Sequence, residues 1–280
     1  MASFVFAWMQ IKKWKRNPRV ICAFLVLLLL CLTMTSEYVD YSKEIGLSIQ
    51  VFEPFILMFT QRYSLLFIML ILLLLYQDVP FIDDCTPYLL IRKTRFSWAM
   101  GQILYICFST LLILLFALLV CVLSGFSVGY FQNIWSDTAW FTAYGGALNE
   151  SAPIEITLIE NLNPYVSVAC IMALFFFGTL ALNTILFSLN LWKGKFVGLC
   201  VVASLIFMGY LFSADLILKE WSGWLSIACH VNLAQHQLTG TGSDPKIGQS
   251  ILLLLSISLC SFAWTCKLAK NFNFFIGEKE

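Results

Sequence analysis

Long apolar runs separated by short polar interludes set the pattern of this 280-residue chain. A helix that crosses about 30 Å of hydrocarbon needs roughly 17 to 25 residues at about 1.5 Å each. Six runs reach that length: residues 19–36, 63–80, 99–124, 164–190, 196–214 and 248–266. They predict an all-α polytopic membrane protein with six transmembrane helices. The start of the second run turns on Arg62 in "FEPFILMFTQRYSLLF". An arginine at mid-bilayer costs roughly 2.5 to 3.5 kcal/mol, which puts Arg62 near an interface and the span's start at Tyr63 instead of Phe55. The first run is read as a span and not a cleaved leader, because "KKWKRNPR" precedes it and no small-x-small site follows before Glu37.

The interludes carry their own patterns. In "FVFAWMQIKKWKRNP", Phe4, Trp8 and Ile11 share one helical stripe while Lys12, Lys13 and Arg16 gather elsewhere, which predicts a helix over residues 1–18 lying in the membrane interface and closed by Pro18. The connections 37–62, 125–163 and 215–247 are too short for a folded domain of their own. In the last of them Trp221, Trp224 and Leu225 suit a membrane surface, so short interfacial or re-entrant helices are expected before "GTGSDP" breaks the chain. No repeat appears, and residues 1–280 read as a single bundle.

Composition agrees: 60% hydrophobic residues and 12% charged, with mean hydropathy +0.84, leave more apolar surface than a water-soluble globule of this size can hide. Charge then orients the spans. Lysines and arginines in alternate interludes fall 13 on one side and 4 on the other, while acidic residues run 5 against 11. The basic side is the cytoplasmic one, which places both termini in the cytoplasm.

Candidate chemistry is sparse. His230 and His236 are the only histidines; they stand six apart, which is not a helical metal-ligand spacing, and they are expected at the surface. No GxxxxGK[ST] occurs, so the chain is not expected to hold a nucleotide or to be an enzyme, and ATP would need another polypeptide. Nothing marks a catalytic or metal site or a nucleic-acid partner. Thr179, Asn183 and Asn190 lie inside the fourth span, where they either line a pathway or, by the favoured reading, bond to a neighbouring helix. Gly125 with Gly129 and Gly194 with Gly198 permit close helix approach. The ten cysteines read as free thiols, with Cys229 facing outward.

Residues 83–102, "DDCTPYLLIRKTRFSWAMGQ", put Arg92, Lys93 and Arg95 beside the third span. A short amphipathic helix is predicted over 86–98, with Thr86 as cap, Pro87 in first position, and Tyr88, Leu89, Leu90, Phe96 and Trp98 as contact residues beside the cations. With the interfacial N-terminal helix and the six-span layout, this stretch resembles the permease subunits of ABC-2 type ATP-binding-cassette transporters. The resemblance implies that 81–98 is a coupling segment docking on a cytoplasmic ATPase dimer. It also implies that two permease chains, identical or homologous, form an export path in the cell membrane, with ATP and magnesium held by the ATPases. The aromatic, sulfur-rich and nearly uncharged spans suit an amphipathic peptide, lipid or drug as cargo. The rival expectation is a non-transporting immunity or sensor subunit that binds a peptide or lipid.

Overall fold

The computed structural model describes residues 2–82, 94–145, 154–213, 222–238 and 244–272. It is an all-α bundle whose long helices follow the apolar runs closely. These are α2 (Pro18–Ile45), α5 (Arg95–Gly125), α8 (Pro164–Lys193), α9 (Lys195–Ser213) and α12 (Ile247–Asn271); all five are long and apolar enough to cross a membrane. The chain is therefore a multi-pass membrane protein. The remaining helices are α1 (Ala2–Lys12), α3 (Glu53–Thr60), α4 (Arg62–Tyr76), α6 (Asp137–Ala143), α7 (Ile156–Asn161), α10 (Ser222–Leu225) and α11 (Ile227–Val231).

Helix boundaries have local causes. Pro18 opens α2 instead of merely ending the segment before it: the Asn17 side chain accepts from the Arg19 N–H, and proline, which has no N–H to leave unpaired, takes the first helical position. At 28 residues α2 is about 42 Å long, so it projects beyond the hydrocarbon and ends at Gly46, whose φ of 76° suits a residue without a Cβ. Thr94 caps α5 by accepting from the Ser97 N–H at 3.2 Å. Gly194 alone separates α8 from α9.

The expected second span is altered. α4 begins at Arg62, next to the expected Tyr63, but with 15 residues it is long enough to span only together with the residues before it, which are not a loose connection. They form α3, which meets α4 at 82° across Gln61, and all eight of its residues are buried. The cost of Arg62 at mid-bilayer argues against one straight span from Phe55; the bend at Gln61 makes the two helices a broken span or a re-entrant loop.

α8 is the central helix: half of its spanning window is buried, against 17% for α12, which lies at the periphery of the bundle. Aromatic pairs fix the neighbours, Phe59 against Phe175 at 4.9 Å and Trp98 against Phe187 at 5.8 Å. The Tyr76 hydroxyl meets Ser109 Oγ at 2.7 Å and Thr110 Oγ1 at 2.9 Å, joining α4 to α5 without an unsatisfied buried polar group. A two-residue parallel ladder, β1 (Ile49–Gln50) with β2 (Gly129–Tyr130), ties two connections together at one end. Gly129 is required there, since a Cβ would lie 2.5 Å from Val51 Cγ1. It serves strand pairing, not the helix packing expected of the Gly125/Gly129 pair.

Candidate functional site

Polar groups collect at the two ends of the bundle. At the basic end α1 lies along the start of α5. The Ser3 hydroxyl bonds the Ser97 carbonyl at 2.9 Å, Phe6 packs on Gly101 where a Cβ would come within 2.9 Å, and Trp14 Nε1 donates to the Tyr105 hydroxyl at 3.0 Å. Phe4 and Trp8 form an exposed apolar stripe on α1.

Of the coupling segment, Thr86, Pro87, Tyr88, Leu89, Leu90, Arg92 and Lys93 lie outside the described residues. Arg95, Phe96 and Trp98 are not in a separate short helix but in the first turn of α5. Arg95 donates to the Ala269 carbonyl at 2.9 Å and to that of Lys270, satisfying carbonyls that α12 leaves open at its last turn. Phe96 is exposed, and Trp98 is buried against Phe187. Nearby, Asp78 pairs with Arg19 and, at 3.5 Å, with Lys195. These groups border a cleft of about 320 Å³ that Lys13, Trp14 and Tyr105 also line.

The three span residues do not act together. Thr179 and Asn183 line one apolar groove with Met69 and Leu182, and Asn183 bonds the Thr179 carbonyl at 2.8 Å within its own helix. Asn190 lies about 10 Å beyond Asn183 along α8. Its Nδ2 donates to the carbonyls of Val79 and, at 3.4 Å, Gln77, locking α8 to the segment after α4. Its Oδ1 sits where a Cβ on Gly198 would have to be, 1.9 Å away, so glycine lets α9 approach.

At the acidic end lies a centre that sequence reasoning missed. Glu53, fully buried at the start of α3, accepts from the Tyr38 hydroxyl at 3.1 Å, the Gln50 N–H at 3.1 Å, the Ser136 N–H at 2.8 Å and the Ser136 hydroxyl at 2.7 Å. One carboxylate thus gathers α2, β1, α3 and the cap of α6. It stands at the first position of α3, the helix that together with α4 is long and apolar enough for a bent span. The available signal was a carboxylate directly before Pro54 and an apolar run.

Beside it, residues 222–238 form a wedge between α8, α9 and α12. Gly178 and Gly209 make the space: a Cβ on the first would lie 2.1 Å from Val231 Cγ2, and on the second 2.6 Å from Ala228 Cβ. The wedge caps its neighbours in return, Asn232 donating to the Thr60 carbonyl of α3 and Gln235 to the Ser213 carbonyl of α9, both at 3.0 Å. One expectation is corrected here: His230 and His236 are not surface residues, and Cys229 beside them is fully buried as well. Both imidazoles reach Ser250 of α12, His230 Nδ1 at 2.8 Å and His236 Nε2 at 2.9 Å. Burial lowers both, His236 to about 4, although the Asn232 carbonyl pulls His236 the other way. Spacing suggested no partnership because a helix was assumed; the break at Asn232 between α11 and the next turn lets both rings converge on one hydroxyl.

No family model, curated protein or solved structure matches the chain.

Proposed function

We propose that this chain is the membrane-spanning subunit of an ABC-2 type exporter. In this reading α2, α4, α5, α8, α9 and α12 are its six spans, both termini are cytoplasmic, and two chains, identical or homologous, enclose the path in the cell membrane. A separate cytoplasmic ATPase dimer binds ATP and magnesium and docks on residues 86–98. The reading is carried by the attachment of α1 and the turn after it to the first turns of α5 through Ser3–Ser97, Phe6–Gly101 and Trp14–Tyr105. Any force on the segment before Thr94 would reach a rigid unit of interfacial helix and span together, and Arg95 would pass it on to the end of α12. Apolar helix walls favour an amphipathic peptide, lipid or drug as cargo.

The test is recovery of the partner. Replacing Leu89, Leu90 and Phe96 by polar residues keeps the cations that fix orientation and removes the apolar contacts. Truncating a central interface anchor costs about 2 kcal/mol or more, roughly thirtyfold in affinity, so a P-loop ATPase that co-purifies with the native chain is expected to be lost from the variant at equal membrane abundance. Undiminished recovery overturns the docking role.

A further inference from the structure

His230, His236 and Ser250 take no part in that reading; their own geometry singles them out. A neutral imidazole has one N–H and one bare nitrogen. His230 Nε2 lies 3.2 Å from the Trp224 carbonyl and His236 Nδ1 lies 2.9 Å from the Asn232 carbonyl. Carbonyl oxygens only accept, so those two nitrogens carry the protons. The bare nitrogens that remain both face Ser250 Oγ, at 2.8 and 2.9 Å, and the hydroxyl has a single hydrogen to give. Four polar contacts share three protons. Any other neutral tautomer only moves the deficit to a carbonyl. One proton from water completes the set: the charged imidazole donates to Ser250 Oγ, and the hydroxyl donates to the other ring. A second proton would put two like charges on one oxygen.

We propose that His230, Ser250 and His236 form a binding site for one shared proton, held between the wedge and α12. Its surroundings set when it fills. The titratable and charged groups on the packed elements are Cys229 on α11, Tyr210 of α9 and Arg62 of α4 in a groove with Ala228, Cys170 of α8, and Asp244 and Lys246 before α12. Among the described residues no carboxylate bonds either ring, and the one charge acting on His236 is that of His230. Uptake therefore falls below the ordinary histidine value, as burial dictates. An unfolded chain would take protons first, so the neutral site's contribution is whole above about 6.5 and is lost as pH falls toward about 4. Acid on that face loosens the wedge.

The chain has two histidines, so histidine-selective isotope labelling of the full protein in lipid nanodiscs gives two ring systems and no others. Titrated from about pH 8 to about pH 4, both rings are expected to shift together through one transition worth one proton, with a midpoint below about 6.5. Ser250→Thr keeps the hydroxyl and is expected to keep the linked transition. Ser250→Ala is expected to split it into two independent midpoints about one unit or more apart. His236→Gln provides a second arm: His230 then has the hydroxyl's hydrogen to itself, and its midpoint is expected to fall by about one unit or more. Wild-type rings that titrate independently near 6.5, a linked transition that survives Ser250→Ala, or a His230 midpoint indifferent to His236→Gln would each overturn the proposal.

Discussion

At the basic end Asp78 holds Arg19 and Lys195 with every side chain of the trio at least a third exposed, whereas at the acidic end Glu53 holds Tyr38, Gln50 and Ser136 with no exposure at all. The same chemical group does two different things. Where water competes, the carboxylate's pairs contribute little and can exchange. Where water is excluded, every donor around Glu53 depends on it, and losing it strands several buried groups at once. Polar groups at the acidic end are thus bound to one another out of water, and those at the basic end stay within its reach.

The sharpest way to break the contrast is to unseat the wedge. Gly178→Val adds branched bulk where a single Cβ already meets Val231 at 2.1 Å. Overpacking of this kind costs about 3 kcal/mol or more when backbone must move, and it should both lower the unfolding temperature and expose the buried Cys229 to a thiol-specific reagent. A normal melt with protected Cys229 would mean that the wedge sits elsewhere.

Next in size is Glu53→Gln, which keeps the shape but turns an acceptor into an amide donor facing N–H groups. A loss of about 1 to 3 kcal/mol is expected in denaturant unfolding. An undiminished stability would contradict the assignment. The smallest effect belongs to Asp78→Asn. Exposed pairs contribute about 0 to 1 kcal/mol, so its melt should lie within about 1 kcal/mol of wild type and be nearly insensitive to salt. A large loss would show that the basic end is as rigid as the other.

Much of this was legible along the chain. The helices α5, α8, α9 and α12 begin and end within a few residues of the apolar runs, because the length needed to cross hydrocarbon and the cost of a charge inside it are local properties of sequence. The stripe of Phe4 and Trp8 announced α1 for the same reason. Asn190 was legible only as a packing residue: its amide in an apolar span demanded a partner, and the identity of that partner, the Val79 carbonyl, depends on the chain after α4 returning to α8. Arg95 was legible as a topological charge, yet its two carbonyl acceptors come from 174 and 175 residues away.

The sequence by itself determined which stretches form long apolar helices able to cross a membrane. It could not determine what fills the spaces between them. Polar residues in a connection read as exposed, since nothing local says otherwise. His230, His236, Cys229 and Glu53 became buried because Gly178 and Gly209 on two long helices leave room for a wedge, and because Ser136 and Ser250 arrive from distant segments to bond what the wedge and α3 bring in. Burial of a polar group is stable only when all its partners are present together, and that condition is met in three dimensions, never along the chain.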